Sequence, residues 1–275
     1  MRLSTRSMKQ VPPTAWFGLV VVAIFCVLAL FAPLIAPYGE TQVVGGEFAP
    51  WSAQNPLGTD NLGRDMATRL IYGARNTIGI ALVTTVLAFL VGGSLGMVAG
   101  TMRGWMDQVL GRMVDVLMAV PSLIFTLLLL AIFGTSMFSM ICIIAGVEST
   151  RVFRLARALA LGIGVQDFVE AAKLRGEGLW WVIAREILPN ATAPLIAEFG
   201  LRFCFVFLFI ASLSFLGLGI QPPTADWGSM VRENAVLITY GDITPLLPAG
   251  ATALMTVAVN FIVDWMLHRS SGLKD

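Results

Sequence analysis

Glu170-Ala171-Ala172-Lys173-Leu174-Arg175-Gly176, followed by Glu186-Ile187-Leu188-Pro189-Asn190, decides how the chain is read. The stretch 167–190 is a polar island between long apolar runs. A protein that only had to sit in lipid has no need of one. Residues 167–175 are mostly strong helix formers. Ala171 and Ala172 leave a flat surface that another protein can approach. Gly176 and Gly178 allow a sharp turn, because glycine reaches backbone angles that other residues avoid. A second helix over 179–187 sets Leu179, Val182, Ile183 and Ile187 on one face, and Pro189 ends it. The result is a helix–turn–helix elbow along a membrane surface. One side grips the apolar helices and the other faces water.

The rest of the chain supplies the membrane part. Of 275 residues, 57% are hydrophobic and 13% charged, against about a quarter charged in an average soluble domain. Mean hydropathy is +0.81. The windows 10–39, 76–102, 116–147, 203–225 and 243–263 contain no Asp, Glu, Lys or Arg. Each exceeds the roughly 20 residues that carry a helix across ~30 Å of hydrocarbon. The window 116–147 is too long for one span, and Gly134-Thr135-Ser136 reads as a turn that divides it near 113–133 and 137–158. Six spans are expected, all helical, because unpaired backbone groups are too costly in lipid. The apolar stretch Ala15 to Ala36 is too long for a cleaved leader and reads as a retained helix.

Alternating spans with an inside N-terminus put Arg2, Arg6, Lys9, Arg103, Arg112, Arg151, Arg154, Arg157, Lys173, Arg175, Arg185, Arg269 and Lys274 inside. Outside lie Arg64, Arg69, Arg75 and Arg232, with Arg202 within a span. That asymmetry places both termini in the cytoplasm. Cys26, Cys142 and Cys204 fall in three different spans and suggest neither a disulfide nor a metal site. His268, the single histidine, stands at the end of the last span as an interfacial anchor.

Several smaller features carry expectations. Leu57 to Asp65 opens an amphipathic helix capped by Asp60, with Leu62, Met66, Leu70 and Ile71 on one face and an Asp65–Arg69 pair opposite. Gly92, Gly93, Ser94, Gly96 and Gly100 let a neighbouring helix come close to span two. Pro121 kinks span three. Glu148 and Arg202 are ionisable groups at membrane depth, which are expensive unless paired. They either form a structural pair or face a translocation path.

The spacing of the polar island resembles the coupling loop of permease subunits of ATP-binding cassette importers: Glu-Ala-Ala, three residues, Gly, nine residues, then a residue before Ile-Leu-Pro-Asn. Further matches resemble the dipeptide/oligopeptide/nickel permease group. These are Leu57-Gly58-Thr59-Asp60 with Gly63-Arg64-Asp65, Leu70-Ile71-Tyr72-Gly73-Ala74-Arg75, Asp115 with Pro121-Ser122, Leu213 to Gly219, Gln221-Pro222-Pro223, and Trp227-Gly228-Ser229-Met230. Size and the segment before span two are similar to its C-type subunit. Glu186 stands where the group often has His, and Ile210 where a Glu is common.

The resemblance implies a type I importer permease fold. Residues 1–75 would hold the tail, first span and outside amphipathic segment, 76–268 a five-span core, and 269–275 a cytoplasmic tail. Glu170, Ala171, Ala172, Gly176 and Glu186 would meet the ATPase, with Leu188 and Pro189 anchoring the exit of the loop. The implied partners are a second permease chain, two ATPase subunits and an external substrate-binding protein in a bacterial inner membrane. Di- or oligopeptides lead as substrates, with oligosaccharides or opine-like conjugates as the alternative. No catalysis or cofactor is expected of this chain. Lys9, Lys173 and Lys274 are the only lysines and none follows a glycine, so there is no phosphate-binding loop. ATP and Mg would be bound by partner chains. A secondary transporter or channel would explain the helices but not the elbow. A membrane enzyme would need clustered ligands at depth.

Overall fold

The computed structural model describes residues 11–271, and the basic residues Arg2, Arg6, Lys9 and Lys274 of the expected tails lie outside them. The described residues are built of helices. In order these are α1 (Pro13–Leu30), α2 (Ala32–Ile35), α3 (Met66–Met102), α4 (Gly104–Ala119), α5 (Ser122–Phe133), α6 (Met137–Ile163), α7 (Asp167–Leu174) and α8 (Leu179–Val182). A π-helical turn (Ile183–Ile187) leads into α9 (Leu188–Phe215), followed by α10 (Trp227–Asn234), a 3₁₀ turn (Ala235–Tyr240) and α11 (Leu246–Ser271).

Four helical stretches are long and apolar enough to cross a membrane: Pro13–Leu30, Met66–Met102, Leu179–Phe215 and Leu246–Arg269. A fifth is added if α4 and α5, bent by 89° at Val120-Pro121, count as one broken span. The division at Gly134 lies where the sequence puts it, with Gly134 ending α5 at φ 84°. Pro121 does more than kink a helix. It is the N-cap of α5 and separates two helices. The expected span at 137–158 falls within α6, which is not among those apolar stretches: its 27 residues include Glu148, Arg151, Arg154 and Arg157.

The chain folds into two compact units. The first comprises 11–82, Thr135–Met137 and Cys204–Trp265. Its centre is Trp227, fully buried. The indole N–H donates to the Leu70 carbonyl at 2.9 Å. The ring meets Phe25 and Phe207 edge-to-face at 5.3 and 6.0 Å, an arrangement favoured by the aromatic quadrupole. Gly73 makes the room, since a Cβ there would stand 2.6 Å from the indole Cδ1. Asp226 caps α10 by accepting the Ser229 N–H at 2.8 Å, and it also accepts the Thr77 hydroxyl at 3.0 Å. Burial pushes its carboxyl above the usual range, while the Ser and Thr donors pull the other way.

The segment before α3 departs from expectation. No separate amphipathic helix precedes span two, and α3 runs unbroken from Met66. Asp65 covers its first turn by accepting the Thr68 N–H at 2.8 Å. Asp60 instead organises the preceding loop, accepting the N–H groups of Leu62 and Arg64. Its carboxylate takes Arg64 Nε at 2.7 Å and stands 3.1 Å from Arg69 Nε. Glu233 lies 3.4 Å from both guanidinium groups. Arg69 is fully buried, so it pairs with these acids across the chain and not with Asp65 along the helix.

The second unit comprises Val83–Gly134, Phe138–Phe203 and 266–271. Here α3 and α6 pack backbone to backbone. A Cβ on Gly92 would collide with the Ser149 carbonyl. On Gly96 it would stand 2.5 Å from the Phe153 carbonyl, and on Gly100 2.7 Å from that of Arg157. The four-residue repeat is the small-residue seam expected between membrane helices. Gly93, one position off the seam, has open space around it.

Candidate functional site

The elbow is built from α7, a turn, α8 and the π-helical turn. Asp167 and Glu170 lie in the first turn of α7 and Lys173 in its last, the order the helix dipole favours. Gly176 adopts φ +85°, the left-handed turn for which glycine is suited, and Gly178 is an ordinary extended N-cap. Only the first of the two glycines is therefore needed for its backbone freedom.

The inner face is apolar. Val169, Val182, Ile183, Ile187 and Ala191 form one buried cluster with Met97 of α3 and Ala156 and Ala160 of α6, and Leu179 packs against it. The stripe read from the sequence, Leu179, Val182, Ile183 and Ile187, is the face that holds the elbow down.

The expected contact residues divide in two. Glu170, Ala171, Gly176, Leu188 and Pro189 are exposed, and Glu186 is half-buried. Ala172 is fully buried beside Val169, so it belongs to the inner face and not to a flat outer surface. Pro189 does not end the second helix. The Leu188 N–H reaches back five residues to the Ile183 carbonyl. Pro189 follows directly in α9, where the π-helical turn has already shifted the hydrogen-bond register. Helical backbone thus continues from Leu179 to Phe215.

Residues not anticipated complete the outer face: Phe168 (42% exposed), Leu174 (83%) and Trp180 (69%). The Arg175 guanidinium lies over the Trp181 ring at 5.9 Å. Alternation of these bulky groups with Val169, Ala172 and Val182 is a signal the sequence did carry.

The structure brings Glu148 and Arg202 together, with Nη1 3.0 Å from Oε2. The pair belongs to a longer chain of alternating charge. Glu198 accepts from Arg202 Nη2 at 2.6 Å, and Arg151 Nη1 is 2.5 Å from the other Glu148 oxygen. Glu148 and Arg202 are buried, at 2% and 8% exposure. Glu198 stands four residues before Arg202 and Arg151 three after Glu148, so helical spacing could have found both. Two further ion pairs join α4 to α6: Asp107 with Arg157, and Asp115 with Arg154 at 2.8 Å. Among the described residues no group of His, Cys, Asp and Glu is placed to hold a metal.

Comparisons with known proteins identify the family. Residues 92–271 match the family model for the binding-protein-dependent transport system inner membrane component. Residues 13–63 match the N-terminal membrane domain of oligopeptide transport permease C. A dipeptide transport system permease protein of Alkalihalophilus pseudofirmus is 34% identical over 260 residues, covering 94% of this chain and 83% of the relative. A di/tripeptide permease of Pseudomonas aeruginosa is 34% identical over 270 residues, covering 94% and 85%. A glutathione transport permease of Pectobacterium atrosepticum is 30% identical over 261 residues, covering 92% and 83%. An amino acid ABC transporter solved with histidines shares the fold at TM-score 0.54 and 20% identity, over 74% of this chain and 94% of that one. The chain belongs to the binding-protein-dependent inner-membrane permeases of ABC importers, in the dipeptide/oligopeptide/nickel group and of its C type.

Proposed function

We propose that this chain is the membrane subunit of an importer that carries di- or oligopeptides across a bacterial inner membrane, driven by ATP that partner chains hydrolyse. The observation that carries the reading is the outer face of the elbow. Phe168, Leu174 and Trp180 are exposed on a segment whose inner face is anchored by Val169, Val182 and Ile187. Bulky apolar groups held out on a fixed elbow are what a protein partner buries. The partner is a cytoplasmic ATPase, and both termini lie on its side of the membrane. A second permease chain, a second ATPase and an external binding protein complete the assembly. Nucleotide-driven closure of the ATPases moves the elbow and biases the helices between two states. Glu148 and Arg202 act as a structural pair in the helices that move. The peptide substrate rests on the relatives, whose names specify dipeptide, di/tripeptide and glutathione transport.

Solute depletion from a medium of mixed oligopeptides and oligosaccharides tests the reading. Strains carrying the native chain, a deletion, and Leu174→Glu are compared. Leu174 is 83% exposed, so the charge does not disturb the fold. Peptide left unconsumed by both altered strains is the expected result. Peptide consumed while a sugar or conjugate remains would move the substrate class. Full activity of Leu174→Glu, with Trp180→Glu equally active, would remove the coupling assignment.

A further inference from the structure

The ion pairs between α4 and α6 line the polar end of a groove that the transport reading does not use. Two cavities follow one another along it. The first, about 330 Å³, is lined by Asp107, Arg112, Asp115, Arg154 and Arg157, with Gly111 in its wall. The second, about 280 Å³, begins one turn further on, with Leu117, Phe125, Leu129, Ile143, Gly146 and Val147 in its wall. From Arg157 to Cys142 the groove follows α6 for fifteen residues, about 22 Å at the helical rise. That is somewhat more than the depth of one leaflet, half of a ~30 Å hydrocarbon core.

From this we infer that the α4–α6 groove binds one anionic phospholipid, its phosphate at the arginines and an acyl chain in the apolar cavity. Charge selects the headgroup. Asp107 is engaged by two nitrogens of Arg157, and Asp115 by one nitrogen of Arg154. Three guanidinium groups facing two carboxylates leave one positive charge uncompensated. Arg112 is exposed and has no ion-pair partner among the described residues. Arg154 holds Asp115 through a single nitrogen, which leaves donors of its planar fork for a phosphate. Basic pockets between membrane helices recognise anionic headgroups in this way.

Shape selects the chain. The second cavity, about 280 Å³, is a half-open trough walled by side chains of α4, α5 and α6, Leu117, Phe125, Leu129, Ile143 and Val147 among them. Its apolar lining, continuing from the charged cavity along α6, suits a single acyl chain. The change from charged to apolar lining falls between Asp115 and Leu117 on α4 and between Arg154 and Thr150 on α6. Both walls thus switch character at the same depth, as the ester region of a lipid does.

The test uses the full chain purified in mild detergent with the subunits it assembles with. Co-purified phosphatidylglycerol and phosphatidylethanolamine are extracted and quantified against the source membrane. Gly146→Leu fills the apolar cavity, where an added Cβ meets nothing within 4 Å. Gly93→Leu is the control, with equal space but off the groove. Enrichment of phosphatidylglycerol in the wild type and in Gly93→Leu is expected. Gly146→Leu should lower it about tenfold, as for roughly two methylenes losing their apolar contact. Arg112→Gln with Arg154→Gln should bring the ratio of the two lipids to that of the membrane. Absence of enrichment in the wild type would overturn the inference. So would retention unchanged in Gly146→Leu, or loss of a partner subunit instead of lipid.

Discussion

Replacing Arg202 by methionine isolates what the buried charge chain contributes. Methionine keeps the apolar stem and removes the cation. Glu198 then loses its ion pair with Arg202, and Glu148 keeps the one with Arg151. Removing one partner of a buried pair costs about 3–5 kcal/mol, because the other charge is left uncompensated. Two features favour the low end. The Arg151 side chain is 37% exposed and still reaches Glu148, and the 19% exposed Glu198 side chain can turn toward water. About 3 kcal/mol corresponds to a Tm lower by roughly 6–12 °C for a chain of this size. Glu198→Gln should cost only about 1 kcal/mol, since it leaves the Glu148–Arg202 contact intact. Glu148→Gln combined with Arg202→Met should cost less than the sum of the two single changes, by about 1–2 kcal/mol. Thermal unfolding of the detergent-purified chain, followed by fluorescence-detected gel filtration, gives the ranking. An Arg202→Met chain as stable as Glu198→Gln, or strict additivity in the double variant, would refute the argument.

The glycine seam gives a neighbouring-residue contrast: Gly92→Ala must push against the Ser149 carbonyl and should lower stability by about 1–3 kcal/mol, whereas Gly93→Ala should be neutral or slightly stabilising in the same thermal assay. For Asp226, burial raises the carboxyl pKa above the ordinary 3.8. The folded state therefore holds the proton more tightly than the unfolded chain, and the stability it supplies at low pH is lost as pH rises through the raised value. Wild-type Tm should fall over that window, and Asp226→Asn should flatten the fall.

What the sequence made legible was what backbone physics dictates locally. Charge-free windows marked apolar helices, Gly134 marked the break before α6, and the stripe from Leu179 to Ile187 marked the inner face of the elbow. What it hid was set by partners distant along the chain. Asp60 looks like a helix cap, yet it is recruited by Arg64 and Arg69, and Glu233 comes from far away to share them. Pro189 looks like a stop, yet a five-residue hydrogen bond just before it lets the backbone continue. Ala172 looks like its exposed neighbour Ala171, and only the roll of a short helix against Met97, Ala156 and Ala160 separates them. Asp107 and Arg157 are fifty residues apart, and nothing local announces their meeting.

The glycine seam also has a mechanical meaning. Met97 of α3 and Ala156 and Ala160 of α6 belong both to the helix pair that Gly92, Gly96 and Gly100 lock together and to the cluster that seats the elbow. At Gly92, Gly96 and Gly100 the two backbones meet with no side chain between them, so that seam has little slack. Close-packed backbones transmit strain and do not absorb it. The elbow is then the short arm of a crank and the α3–α6 pair is its shaft. On the proposed reading, a load applied at Phe168 or Leu174 would pass through the elbow's inner face into that pair.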